Sequence, residues 1–279
     1  MSTHRGMSVH VGLNAVDPGG YAGWSGELGA CEFDAKDMAA IAKKAGFATR
    51  TLLTKKGTSA AVIEAIADAA DTLKSGDTFL LTYAGHGSQV PDGTSEADGT
   101  SEESDGMDET WVLYDRELLD DELYALWASF PPGARIVMLS DSCHSGTMVR
   151  AIRRTVRPSL VRDTVFRTMP PAVRTKVTKA NAALYKAIQA ATPAGDSLEI
   201  GASVLLLSGC QDNQTAADGD RNGLFTGTVK QVWDNGRFKG RYRGFWRQIS
   251  RRMPPTQSPN WYTTGARSRS LESAHPFSI

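Results

Sequence analysis

Two short stretches of the chain carry the residue types that thiol chemistry needs: Tyr83-Ala84-Gly85-His86-Gly87-Ser88 and Asp141-Ser142-Cys143-His144-Ser145-Gly146. A cysteine thiol is only a few per cent thiolate at neutral pH, and a neighbouring imidazole either stabilises the thiolate or takes its proton. His86 and Cys143 are therefore candidates for a catalytic pair. The glycines beside His86 allow a backbone N–H to approach a substrate carbonyl closely, which makes the N–H groups of Gly87 and Cys143 candidates for an oxyanion hole. The competing readings are ordinary ones. A cysteine after a buried strand is usually core, and Cys31 and Cys210 are assigned to that class. A zinc site at Cys143 and His144 would lack a second pair of ligands.

For the pair to meet, the elements around it must bring both stretches to one place. Each follows an apolar run, Phe79 to Thr82 and Ile136 to Leu139. If these are neighbouring parallel strands, His86 and Cys143 leave the same sheet edge, where sites gather in open α/β sheets. The flanking sequence fits that frame. Strands are expected at Val9 to Leu13, Arg50 to Leu53, Thr78 to Tyr83, Arg135 to Ser140 and Ser203 to Ser208. Helices are expected from Leu28 to Lys44 with a stop at Gly46, and from a Thr58 or Ser59 cap to Leu73. Another is expected after a cap at Asp120 or Asp121, and further ones from Leu224 to Trp233 and from Tyr242 to Met253. Alternating strands and helices point to a mostly parallel α/β sheet.

Two segments depart from this pattern. Asp92 to Glu109 holds eight carboxylates and no basic residue, whereas Arg150 to Lys179 holds nine Arg or Lys residues against Asp163 alone. Both read as solvated loops. The 279 residues, with 41% hydrophobic composition, suffice for one large core, and zero formal net charge provides no global attraction to nucleic acid or anionic lipid. No apolar run approaches a membrane span, Met1 to His10 does not read as a signal sequence, and three cysteines cannot form an even disulfide framework. A cytoplasmic protein without membrane or nucleic-acid partners is the expectation.

The two boxes resemble the His and Cys boxes of metacaspases and their bacterial relatives, the orthocaspases. Their separation is close to the ~50 residues quoted for caspases. The Cys box is not the Gln-Ala-Cys-x-Gly of animal caspases, which favours the metacaspase branch. Leu28 to Met38, Ser208 to Ala216, Asn222 to Thr226 and Gln257-Ser258-Pro259 resemble further family segments, with Phe33 standing where the family usually has Asn. The resemblance implies a caspase-like three-layer α/β sandwich with a mostly parallel central sheet. Residues 1–149 would form a p20-like part, 150–198 a basic linker and 199–279 a p10-like part.

By the same resemblance, Asp34 and Asp141 correspond to the acids of the specificity pocket. Two such carboxylates would select Arg or Lys by charge-assisted hydrogen bonds. A first-turn helix carboxylate is the plainer reading of Asp34. The resemblance further implies a peptidase acting on protein or peptide substrates with Arg or Lys at the cleaved position, monomeric rather than dimeric. Calcium activation is implied through Asp105, Asp108, Glu109, Asp120 and Asp121, although Thr147 to Arg154 lacks the acid the family often places after its cysteine. The basic segment offers self-cleavage candidates at Arg150, Arg153, Arg154, Arg157, Arg162, Arg167, Arg174, Lys176 and Lys179. The rival readings are a separase-like or CHAT-type thiol peptidase, and a catalytically inactive caspase-like scaffold. A nucleotide-binding protein would need a phosphate loop after the first strand, and none is present.

Overall fold

The computed structural model describes residues 4–92, 106–142, 165–210 and 216–279. Its centre is a six-stranded sheet of β1 (Gly6–Gly12), β2 (Ala48–Leu53), β3 (Thr78–Ala84), β7 (Arg135–Asp141), β8 (Ser203–Ser208) and β9 (Asn260–Gly265). The spatial order is β2-β1-β3-β7-β8-β9, parallel throughout except for antiparallel β9 at one edge. Strand β3 is buried along its whole length. That explains its near-continuous apolar sequence, since a parallel strand covered on both faces has no polar side to present.

Alternate residues of the central strands feed two cores. Val9, Val11, Phe79, Leu81, Ile136, Met138 and Val204 pack with Val62, Ile66 and Ala69 of α2 (Ser59–Thr72) and Leu123 and Trp127 of α3 (Asp120–Ala128). Leu80, Val137, Leu139, Leu205 and Leu207 point the other way. They meet Met38 and Ala42 of α1 (Cys31–Lys44), Phe225 and Val229 of α6 (Leu224–Trp233), and Phe245 and Ile249 of α7 (Tyr242–Ser250). The period of two along each strand thus builds the three layers.

The local signals for α1 and α2 have physical counterparts. Thr58 caps α2, its hydroxyl accepting from the Ala61 N–H at 3.3 Å. Gly46 follows α1 with φ +97°, the left-handed geometry that glycine adopts without a Cβ penalty. Helix α1 begins at Cys31 rather than Leu28. Asp120 is not a cap but the first helical residue of α3; the Glu122 carboxylate accepts from the Leu119 N–H and is itself paired with Arg116 at 2.7 Å.

Two loop expectations need correction. Met107–Val112 is strand β5, the middle of a small antiparallel sheet with β4 (Gly87–Pro91) and β6 (Glu117–Leu119). Only 106–109 of the acidic stretch beyond Asp92 is described. The basic segment is not loop throughout either. It enters helix α4 (Pro171–Ala180), followed by α5 (Ala182–Ala191), and this hairpin packs on the small sheet. Val177 joins Tyr21, Val112 and Met169, while Tyr185 joins Val90 and Leu119. Pro171 sits at the first turn of α4, where its missing N–H costs nothing. No helix among the described residues is long and apolar enough to cross a membrane.

Candidate active site

The register of the central sheet decides what lies at its carboxyl edge. Ala84 is opposite Asp141 in the β3–β7 pair, so the two boxes leave adjacent strand ends. His86 is buried, with Nε2 3.1 Å from the Gly26 carbonyl oxygen. A carbonyl only accepts, so Nε2 carries the proton and Nδ1 is left with its lone pair. Among the described residues Nδ1 has no hydrogen-bond partner. Trp24 lies against the imidazole with ring centroids 4.8 Å apart. Gly26 presents its carbonyl from a backbone with φ +54°, and a Cβ there would press on the Trp24 ring. Burial pushes the His86 imidazole down to about 4, so it is neutral at physiological pH. The Tyr83 hydroxyl, 2.6 Å from the His86 carbonyl oxygen, fixes the turn that carries the histidine, and its ring stacks on Trp111.

Beside this edge the side chain of Arg167 is fully buried among three carboxylates. Its Nη2 lies 2.5 Å from Asp34 Oδ2 and 2.8 Å from Asp218 Oδ1, and its Nη1 3.0 Å from Asp141 Oδ2. Each acid is also held, apart from Arg167, by a backbone N–H group. The Gly223 N–H donates to Asp34 at 3.2 Å, the Thr226 N–H to Asp141 at 2.9 Å and the Gly29 N–H to Asp218 at 2.7 Å. Two of these donors belong to the amino end of α6, where the helix dipole also favours negative charge. Asn222 bridges Asp34 to Asp37, and Lys230 pairs with Asp37 from behind. Burial still dominates at Asp34 and raises its carboxyl to about 6 despite the guanidinium beside it.

The backbone of this segment is bound as well. Phe166 bridges Ala217 in antiparallel fashion, the Arg167 N–H donates to the Ala216 carbonyl at 2.9 Å, and the Asp218 N–H donates to the Val165 carbonyl at 2.8 Å. On the other side the Gly87 N–H donates to the Arg167 carbonyl oxygen at 3.1 Å, and the Met169 N–H to the Gly87 carbonyl at 2.9 Å. Residues 165–169 thus lie as an extended strap, paired on both sides, with one carbonyl on Gly87 and its side chain in the acidic pocket.

The expected site residues divide accordingly. His86, Gly87, Asp34 and Asp141 come together around Arg167. Cys143, Asp105, Arg150, Arg153, Arg154, Arg157 and Arg162 lie outside the described residues. Arg174, Lys176 and Lys179 lie on helix α4, whose hydrogen-bonded backbone is not the extended form a peptidase grips; Arg174 also donates to Gln89 at 3.1 Å.

Three of the carboxylates expected to hold calcium have partners within the fold. Asp108 Oδ2 accepts from Gln189 at 2.8 Å, and Asp121 Oδ1 from the Gly195 N–H at 2.8 Å. Asp120 Oδ1 accepts from the Asp121 N–H, and Glu109 faces Gln89 across β4–β5. No group of three metal-binding side chains forms among the described residues. Asp105, the remaining acid of the expected set, lies outside the described residues.

Cys31 and Cys210 are buried free thiols; Cys210 Sγ donates to the Ser142 carbonyl at 3.2 Å. Sequence reasoning missed Asp218, Asn222, Gly26 and Trp24. Asn222 lies in a stretch that resembles a family segment, but no role followed from it; Asp218, Gly26 and Trp24 carry no local signal, because their roles arise only when separate loops converge.

The caspase domain family matches residues 15–269. The chain belongs to the caspase domain family. It is 30% identical over 166 residues to metacaspase-4 of Arabidopsis thaliana, covering 56% of the chain and 37% of that protein. It is 27% identical over 251 residues to metacaspase-1 of Mycosarcoma maydis, covering 78% of the chain and 58% of that protein. The chain therefore spans between about a third and three-fifths of these two relatives. A crystal structure of a protein from Geobacter sulfurreducens superposes with a TM-score of 0.88 at 48% identity, covering 99% of both chains. Caspase-1 of Spodoptera frugiperda shares the fold, with a TM-score of 0.52 at 11% identity over 94% of this chain and 86% of its own.

Proposed function

We propose that this caspase-domain chain is a cysteine endopeptidase that cleaves after Arg or Lys, and that the Arg167–Thr168 bond is its own first substrate. The observation that carries the reading is the seat of Arg167. The side chain is in the acidic pocket, and the carbonyl oxygen is on the Gly87 N–H. The backbone on the amino side is paired with 216–218, as an extended substrate would be.

Cys143 follows Asp141 by two positions, as His86 follows its strand partner Ala84. In the proposed step the Cys143 sulfur attacks the Arg167 carbonyl carbon. His86 takes the thiol proton and delivers it to the departing Thr168 nitrogen. The Gly87 N–H stabilises the negative oxygen meanwhile, and water then hydrolyses the thioester to free the Arg167 carboxylate. His86 has the features this requires, a fixed tautomer with Nδ1 unprotonated and a ring clamped between Gly26 and Trp24.

The test is to incubate the wild type, Cys143→Ala and Arg167→Ala, then sequence new termini by mass spectrometry. A new amino terminus at Thr168 in the wild type alone, formed at a rate independent of protein concentration, is the expected result. An intact wild type that also fails to hydrolyse basic peptides refutes the proposal.

A further inference from the structure

We propose that the pocket selects arginine over lysine, and that Asp218 is the residue that makes the distinction. The inference rests on the reading of Arg167 as a bound substrate residue and narrows it.

All five N–H donors of the Arg167 guanidinium are placed. Nη1 faces the Asp141 carboxylate at 3.0 Å and the Asp141 main-chain carbonyl at 3.2 Å. Nη2 faces Asp34 at 2.5 Å and Asp218 at 2.8 Å. Nε faces the same Asp218 oxygen at 3.2 Å. Asp34 and Asp141 therefore take the tips of the fork, while Asp218 alone takes the Nε–Nη2 edge. That edge is what a guanidinium has and an ammonium lacks.

A lysine would bring one charged atom on a flexible stem. Closing the three acids around it would require them to move, and each is tied to a backbone N–H, as described above. The slot is also flat on one side. A Cβ built on Gly223 would come within 2.6 Å of Arg167 Cζ and Nη1, so the guanidinium plane lies directly against that backbone. A lysine leaves at least one rigid, buried carboxylate without its cationic partner, which costs more than the lost hydrogen bond itself.

Asp218 also stands apart from the other two acids in how it reaches the pocket. It follows the strap in sequence, and its own N–H pairs with the Val165 carbonyl two residues before Arg167. The residue that reads the guanidinium edge thus also holds the peptide backbone, which ties arginine recognition to an extended substrate.

The experiment uses the self-processed enzyme and two fluorogenic tetrapeptides that differ only in Arg or Lys at the cleaved position. The wild type should favour Arg by roughly a hundredfold in kcat/KM, and Asp218→Asn should reduce that preference about tenfold, chiefly by slowing the Arg peptide. Thermal melting checks that the variant is folded. If it is not, Arg167→Lys tests the same point with an unaltered pocket, since self-cleavage should slow by about a hundredfold while Arg167→Ala is uncut. Equal cleavage of both peptides by wild type, or an undiminished preference in Asp218→Asn, overturns this proposal and leaves the basic-residue peptidase standing. Cleavage of neither peptide overturns both.

Discussion

Replacing Arg167 with Ala in a chain already carrying Cys143→Ala would remove the cation from the pocket without any cutting to confuse the result. Asp34, Asp141 and Asp218 are 1%, 1% and 7% exposed at their side chains. Breaking a buried ion pair by deleting one partner costs about 3–5 kcal/mol, because the surviving charge stays desolvated. Here an escape exists. Asp34 already sits at about 6 with the guanidinium in place, so without it the carboxyl rises further and takes up a proton. That further rise is the part of the loss that depends on pH. An acid whose folded-state value is raised above its unfolded value loses stability as pH climbs through that folded value.

The double variant should therefore be less stable than Cys143→Ala by about 3 kcal/mol at pH 8 and by less at pH 5, where Asp34 is already largely protonated. For a domain of this size that is roughly 6 °C in Tm at pH 8. Differential scanning calorimetry at the two pH values reads both losses. A loss below about 1 kcal/mol at pH 8, or one equal at the two pH values, would mean that Arg167 is not the counter-ion of these acids in solution.

Gly223→Ala should block self-cleavage and raise KM for arginine peptides by tenfold or so, because the new methyl group would press on the guanidinium and on Asp141 Oδ2. Melting temperature and peptide kinetics separate this from unfolding. Glu117 is a second pH-sensitive point. It is fully buried under Tyr185 and Thr110, and burial raises its carboxyl to about 7. Stability should therefore fall as pH rises from about 4.5 to about 7, by up to about 3 kcal/mol, and Glu117→Gln should flatten that fall in a pH series of melting curves.

The parts of this fold written in local pattern were readable from the chain. β8 and α6 match their expected bounds, β3 and β7 gain one residue each, and the Thr58 cap and Gly46 stop act as their residue types require. The small sheet was not readable, since Met107-Asp108-Glu109 looks like solvent-facing chain until Gln189 and β4 pair with it. The acids at 34 and 141 were singled out only through the family resemblance of the segments that hold them. Asp218 was not, because only the strap and Gly29 place it. The basic segment misled most. Its charges suggested a solvated connector throughout, yet Arg167 is buried and the chain beyond Pro171 is helical. Charge density alone cannot distinguish a solvated arginine from one that has found three carboxylates.

That helical stretch decides what a cut at Arg167 would do to the molecule. The bond lies before α4 and α5, so the hairpin would remain covalently attached to β8 and β9 and be severed from β1 to β7. Its contacts run the other way, to the severed part. Gln189 donates to Asp108 and Pro91, Arg174 to Gln89, and Asn181 to Gly20, while Tyr185 covers Glu117. β8 is also hydrogen-bonded to β7 along its full length, and both cores draw residues from either side of the cut. Separating the halves would expose the apolar interior of the sheet, a far larger cost than one peptide bond's constraint. The cleaved protein should therefore elute as one species at the size of the intact chain in native chromatography and resolve into two pieces only in denaturant. Cleavage would then act by freeing the strap, not by dividing the fold. Two separate native peaks after processing would show that the hairpin and β8 do not hold the halves together.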